Sequence, residues 1–170
     1  MMLLWPSLAR FTLAQTPVRL TPAMRLSYTG IGPARMGMTE AQLRKVLAGP
    51  FQVNDQAGDD SVQCYYLELR AGGVGFMFLD YKLARVDVYE TPWRTVSGAG
   101  VGTSVADIHR LYGHVEDEPH HYDSEGKYLF VTPDNPALRQ YDLVFETDGK
   151  VVTAFRAGLR KATGLVEGCA

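Results

Sequence analysis

One pattern occurs twice in this chain, and it restricts the fold more than any other feature. The sequence GMTEAQLRKVL at residues 37–47 returns as GTSVADIHRLY at residues 102–112, and a glycine closes each copy, Gly49 in the first and Gly113 in the second. After each glycine the hydrophobic spacing changes from the period of a helix to the alternation of a strand. The repeat therefore predicts two similar units, each with a helix followed by strands.

Each unit supplies strand candidates after its helix, at 62–70, 74–79 and 83–90 in the first unit and at 127–132, 141–147 and 150–157 in the second. Thr39 and Ser104 precede the helices as predicted N-caps, and polar loops are expected at 51–60 and 114–126. A three-stranded sheet with one helix buries too little apolar surface to be stable alone. We therefore predict an α+β fold in which two tandem repeats, each a helix plus a three-stranded antiparallel sheet, lie side by side in one curved sheet.

The repeat also sets the predicted domain boundaries. These are a leader and linker at 1–29, the first unit at 30–90, a connector at 91–101, the second unit at 102–158 and a C-terminal tail at 159–170. Residues 1–13 are apolar like the core of a secretory signal peptide, but they lack a basic start and are interrupted by Pro6 and Arg10. A degraded signal peptide and a disordered leader both stay open.

Composition excludes several classes of function. With 46% hydrophobic and 21% charged residues, this chain of 170 residues has the composition of a folded protein. Its formal net charge of -2 provides no basic field, so nucleic acid is not an expected partner. No apolar run is long enough to predict a transmembrane segment.

The two cysteines, Cys64 and Cys169, are far apart in the sequence. Their positions suit a disulfide that ties the C-terminal tail to the first unit in an oxidising compartment. The alternative is two unpaired thiols, one in a strand and one at the terminus. A disulfide would favour a periplasmic or secreted protein.

The sequence contains no recognisable catalytic motif. There is no G-x-S-x-G and no cysteine in a protease-like context, and the glycine-rich run 71–75 joins two strand candidates rather than opening a helix. His114, His120 and His121 lie among acidic residues, but at no recognised zinc spacing. We predict a solvated acidic loop there, with no metal site, no cofactor and no enzyme activity.

Aromatic and charged residues are the candidates for binding a partner. Alternation or loop position is expected to expose Tyr66, Tyr89 and Trp93, beside Arg85 and Asp87. Tyrosine, tryptophan and arginine are the residues that most often anchor protein interfaces. These five residues form the predicted partner-binding site, and the alternative for Trp93 is a place in the seam between the units.

The stretch GIGPARMGMT at 30–39, followed by a short helix, Gly49-Pro50 and a strand meander, resembles a bacterial superfamily. This superfamily contains the β-lactamase inhibitory proteins and the small lipoprotein of the outer-membrane β-barrel assembly machinery. Two tandem copies are more similar to the inhibitor type, and the ending VEGC at 166–169 resembles that of a group of secreted proteobacterial proteins. The resemblance implies an exported protein without catalytic machinery or cofactor.

These observations lead to one expectation and two alternatives. We expect a non-enzymatic exported bacterial protein that binds another protein or an envelope component through an exposed sheet face and loops. Inhibition of a β-lactamase is one function within that expectation. The first alternative is a carbohydrate- or small-molecule-binding module that uses the same aromatic residues, and the second is a hydrolase.

Overall fold

An antiparallel sheet dominates the structure, a computed structural model that describes residues 16–54, 64–69 and 72–169. Residues 1–15, which include the signal-like run, lie outside the described residues. The first strands are short: β1 (Val18–Arg19), β2 (Leu26–Ser27), β3 (Gly30–Ile31), β4 (Ala34–Arg35) and β5 (Leu47–Ala48). β1 pairs with β5, while β2, β3 and β4 form a second small sheet.

The large sheet has eight strands among the described residues, and all of its neighbouring strands are antiparallel. They are β6 (Phe51–Asn54), β7 (Cys64–Leu69), β8 (Val74–Leu79), β9 (Lys82–Val88), β10 (Glu116–Pro119), β11 (Lys127–Val131), β12 (Tyr141–Thr147) and β13 (Val152–Leu159). Across the sheet their order is β10, β11, β12, β13, β9, β8, β7, β6. Pairing between β9 and β13 therefore joins the strands of the first half of the chain to those of the second.

Two helices begin at the predicted N-caps. The Thr39 hydroxyl caps α1 (Glu40–Val46) and the Ser104 hydroxyl caps α2 (Val105–Tyr112), each by accepting a backbone N–H three residues further on. A third helix, α3 (Arg160–Thr163), follows β13. Among the described residues, no helix combines the length and the apolar character needed to cross a membrane.

The main hydrophobic core lies on the sheet face that α1 and α2 cover. Leu43 of α1 and Ile108 of α2 are fully buried there, against the inward-facing side chains of the sheet. Phe76, Phe145 and Phe155 are among those inward-facing residues. Complete burial of a large apolar side chain stabilises the folded state by roughly 1.5–3 kcal/mol relative to exposure, so this face supplies most of the apolar burial.

The C-terminal tail packs on the opposite face of the sheet. Ala162 of α3 belongs to a second, smaller core with Met77 and Leu79 of β8. A disulfide joins Cys64 of β7 to Cys169, with 5.4 Å between their Cα atoms, and confirms the predicted pair. The tail is therefore held to the first half of the chain both by packing and by a covalent bond.

The predicted α+β class was wrong, because the protein is mostly β, with 42% of the described residues in strand and 15% helical. The helices are short, and among the described residues each half of the chain contributes four strands to the large sheet rather than three. The additional strands, β6 and β10, lie in segments that were predicted as loops. All four residues of β10 are exposed, so its sequence, EDEP, has no alternation to indicate a strand. Its backbone pairing with β11 makes it one.

Candidate functional site

A polar cavity lies between the C-terminal tail and the sheet face opposite α1 and α2. Its volume is about 240 Å³, and we call it the tail cavity. Strands β6, β7, β9, β12 and β13 contribute to it, together with residues 166–169 of the tail. The lining residues that matter most for its chemistry are Tyr66, Glu68, Arg85, Asp87, Tyr89, Glu146, Arg156 and Glu167.

Strand alternation places the charged residues on this face. On β9, Arg85 and Asp87 alternate with Val86 and Val88, and the two valines belong to the main core. Arg156 is the direct neighbour of Asp87 across the β9–β13 pair. The junction between the two halves of the chain therefore brings three charged groups together on one side of the sheet.

Arg85 uses all of its guanidinium nitrogens. Its Nε donates to Asp87 Oδ2 at 2.9 Å, and its Nη2 donates to the Tyr66 hydroxyl. Its Nη1 donates to the carbonyl oxygens of Ala162 and Leu165, both at 2.6 Å. Because Arg85 and Asp87 are only 3% and 4% exposed, these bonds compensate the cost of burying both charges.

Arg156 is bound less completely. Its Nε donates to the Thr163 carbonyl at 2.8 Å, and its Nη1 donates to Glu146 Oε2 at 3.4 Å. Its Nη2 is buried and has no hydrogen-bond partner in the part of the chain that the structure describes. A buried guanidinium nitrogen without an acceptor is rare in folded proteins, so this atom marks a candidate contact for a ligand.

The polar segment at 114–126 reaches the cavity through His120. The Nε2 atom of His120 lies 3.0 Å from Glu146 Oε1, and its ring stacks on Tyr128 with 4.6 Å between centroids. The Arg156 guanidinium lies over the same Tyr128 ring, 5.4 Å from its centroid. Glu146 therefore connects His120 to Arg156, and the segment is more ordered than the solvated loop that was expected.

Burial and neighbouring charges change the ionisation of this cluster. Burial raises the pKa of the Tyr66 hydroxyl, and the Asp87 carboxylate raises it further. Tyr66 is therefore a neutral phenol at physiological pH. Burial lowers the pKa of the Arg156 guanidinium, and repulsion from Arg85 adds to that effect. Arg156 nevertheless remains charged, since an arginine pKa starts above about 12.

Four of the five predicted partner-binding residues meet in the tail cavity. Tyr66, Arg85, Asp87 and Tyr89 all line it. The expected exposure holds only for Tyr89, which is 48% exposed. Tyr66, at 9% exposed, and the Arg85–Asp87 pair are buried because the tail covers them.

Trp93 does not line the tail cavity. It is 5% exposed and belongs to the main core, and its Nε1 donates to the carbonyl of Gly72. The expected exposure of Trp93 was therefore wrong. An indole with a buried ring and a bonded N–H has a structural role in this fold.

The described residues contain no group of three or more histidine, cysteine, aspartate or glutamate side chains that could hold a metal ion. His109 instead pairs with Asp117, which also pairs with Lys127. His120 pairs with Glu146, whereas His121 contacts the edge of Tyr128, so adjacent histidines have different partners. The histidine-rich segment is therefore organised by hydrogen bonds and ring contacts.

The sequence interpretation missed Arg156, Glu146 and the tail. Arg156 alternates with Phe155 and Ala157, which are core residues, so the pattern of β13 already placed it on the polar face. Its neighbours became visible only through the pairing of β13 with β9. The tail had no recognisable pattern apart from the VEGC ending that contains Cys169.

Comparisons of the chain with protein-family models, with curated proteins and with solved structures found no match.

Proposed function

We propose that this chain is a non-enzymatic binding protein that holds a small polar ligand in the tail cavity. The observation that carries the proposal is the convergence of Tyr66, Arg85, Asp87 and Arg156 on one cavity beside the tail. Its volume of about 240 Å³ is below the roughly 300–1,000 Å³ of pockets that take drug-sized molecules. The cavity therefore fits a smaller ligand.

Burial favours a small molecule over a flat protein interface. Tyr66, Arg85 and Asp87 are 9%, 3% and 4% exposed, so a protein surface docked on the sheet would not contact them. A small molecule inside the cavity can contact these three residues, because all three belong to the cavity lining. The burial of these groups therefore favours the small-molecule alternative over the protein-binding expectation.

The lining of the cavity supports binding without catalysis. Asp87 and Glu146 each accept a hydrogen bond from an arginine, so both carboxylates are already engaged within the protein, although burial raises the pKa of the Asp87 carboxyl. Among the described residues that line the cavity there is no serine, threonine or histidine, and Cys169 is in the disulfide. An exported location is part of the proposal, because structural disulfides persist in oxidising compartments.

A protein partner is the second candidate function, and Tyr89 supports it. Tyr89 is 48% exposed and lies next to buried polar groups, which is the setting in which tyrosine anchors interfaces. A partner would then insert one side chain into the tail cavity. The resemblance to the β-lactamase inhibitory proteins agrees with this candidate.

The test is a thermal-shift screen of the oxidised full chain with sugars, amino acids, organic acids and amines. We expect one chemical class to raise the Tm of the wild type and of Tyr81→Ala, but not that of Tyr89→Ala. Tyr81 is a matched control because it is an exposed tyrosine outside the cavity. A screen without a shift, or a shift that Tyr89→Ala retains, contradicts the proposal. A protein retained from a periplasmic extract by the wild type, but not by Tyr89→Ala, favours the second candidate.

A further inference from the structure

Arg156, one of the residues that line the tail cavity, carries a buried hydrogen-bond donor that has no acceptor in the described part of the chain. This donor is Nη2, and Arg156 itself is 4% exposed. The carboxylates nearby are already engaged, since Asp87 accepts from Arg85 and Glu146 accepts from Arg156 Nη1. A ligand oxygen would satisfy Nη2, and a carboxylate is the acceptor whose geometry best matches a guanidinium.

The outer part of the cavity has the opposite character. Glu68 and Glu167 line it, and neither has a lysine or arginine partner within ion-pair distance among the described residues. Glu68 accepts a long hydrogen bond from the Asn54 amide at 3.4 Å. Glu167 accepts a short hydrogen bond from the Tyr122 hydroxyl. Neither carboxylate is therefore paired with a cationic side chain in the described part of the chain.

The exposed ring of Tyr89 lies in the same lining as these two carboxylates. Carboxylates and an aromatic ring together form a favourable environment for an ammonium group, through charge attraction and cation–π contact. The cavity thus has an unsatisfied donor in its buried part and uncompensated negative charge in its exposed part.

We infer that the ligand of the tail cavity is a small zwitterion, with a carboxylate that accepts from Arg156 and an ammonium group that lies near Glu68, Glu167 and Tyr89. This inference rests on the proposed function and names its ligand class. Free amino acids, other aminocarboxylates and the ends of short peptides have this chemistry. A hydroxyl of a neutral sugar could accept a hydrogen bond from Arg156 Nη2, but the sugar would leave Glu68 and Glu167 without a positive charge nearby.

The experiment is an NMR titration of the isotopically labelled, oxidised full chain. The probes are glycine, β-alanine, 4-aminobutanoate and 6-aminohexanoate, which vary the separation of the two charges. Butylamine and butanoate each carry one of the charges of 4-aminobutanoate, and glucose is the neutral probe. We expect one zwitterion to bind about tenfold more tightly than butylamine or butanoate, with shifts at Tyr89 and Arg156.

Two variants test the contacts of the ammonium end and of the carboxylate end of the ligand separately. Glu68→Gln should weaken binding of the zwitterion by up to about fivefold, which is the effect of one exposed ion pair. The affinity for butanoate should not change. Glu116→Gln is the matched control, since Glu116 is exposed on β10 and outside the cavity. Arg156→Lys keeps the positive charge but removes the Nη2 donor. This variant should therefore bind the zwitterion and butanoate more weakly, to a similar degree.

The outcomes distinguish this inference from the proposed function. Glucose binding that Tyr89→Ala abolishes, with no zwitterion bound, would leave the proposed function standing and overturn the inference. A zwitterion that binds no more tightly than butylamine and butanoate would also overturn it. If no probe shifts the resonances of the cavity, both the inference and the proposed function are contradicted.

Discussion

Asp87 and Arg156 face each other directly across the β9–β13 pair, yet the Asp87 carboxylate is bonded to Arg85 on its own strand. This strand pair is where the two halves of the chain join, so the buried charges lie at the junction. Arg85 and Arg156 then reach the carbonyl oxygens of Ala162, Thr163 and Leu165. One cluster therefore ties together both halves of the sheet and the tail.

Removal of the carboxylate at this junction should destabilise the protein strongly. Asp87→Ala would leave the buried Arg85 guanidinium without its ion-pair partner and would remove the charge attraction between Asp87 and Arg156. Breaking a buried pair typically costs about 3–5 kcal/mol. Urea unfolding at neutral pH measures the change. Asp107→Ala, which breaks an exposed pair with Arg110, should destabilise the protein far less, because solvent screens an exposed ion pair. Equal losses in the two variants would show that the junction does not depend on this charge.

Loss of the disulfide should destabilise the chain and loosen the tail. The bond closes a loop with a sequence separation of 105, for which chain entropy predicts a contribution of up to about 4.7 kcal/mol. Reduction of the wild type, or the double variant Cys64→Ser/Cys169→Ser, should lower the urea midpoint. Amide exchange at residues 164–168 should become faster at the same time. A reductant that changes neither quantity in the wild type would contradict this role.

Trp93 should affect stability but not ligand binding. Trp93→Ala removes a buried ring from the main core, a change that typically costs about 3–5 kcal/mol. Trp93→Phe keeps most of the apolar contact but leaves the Gly72 carbonyl without its donor, at a cost of about 1 kcal/mol. Thermal unfolding and the ligand titration on Trp93→Phe separate the two effects. If folded Trp93→Phe bound the ligand more weakly than the wild type, Trp93 would have a role in binding as well as in stability.

Local signals explain which elements could be predicted from the sequence. Thr39 and Ser104 cap their helices through bonds within one turn, so the residues alone indicate where the helices begin. The strand at 141–147 lies where its candidate was placed. β10 could not be found this way, because an edge strand with four exposed residues has no buried side to leave a pattern. The fold class was wrong because strands such as β10 were missed and because the helices are short.

The candidate site depends on contacts that are distant in the sequence. Alternation placed Arg85 and Asp87 on the polar face correctly, but it could not show that the tail covers them. The bonds from Arg85 to Ala162 and Leu165 join positions 77 and 80 residues apart. Cys169 was the one residue that pointed to this contact, because its pairing with Cys64 brings the tail to β7.

Tyr65 should make the stability of the protein fall in alkaline solution. Its ring stacks on Phe78 with 5.0 Å between centroids, and its hydroxyl donates to Glu40 Oε2 at 3.1 Å. Burial, and then the bond to Glu40, raises the pKa of Tyr65 from 10.0 to about 12 in the folded protein. Between these two values the folded state binds more protons than the unfolded state. The contribution of Tyr65 is therefore fully present below pH 10 and is lost as the pH rises to about 12.

Urea midpoints measured from pH 8 to about pH 11.5 test this sign. The wild-type midpoint should fall with increasing pH, and the midpoint of Tyr65→Phe should fall less steeply, because phenylalanine has no proton to lose. Glu40→Gln should move the Tyr65 pKa back toward 10.0, which an ultraviolet titration of the folded protein can follow. Identical slopes for the wild type and Tyr65→Phe would show that the Tyr65 hydroxyl does not control alkaline stability.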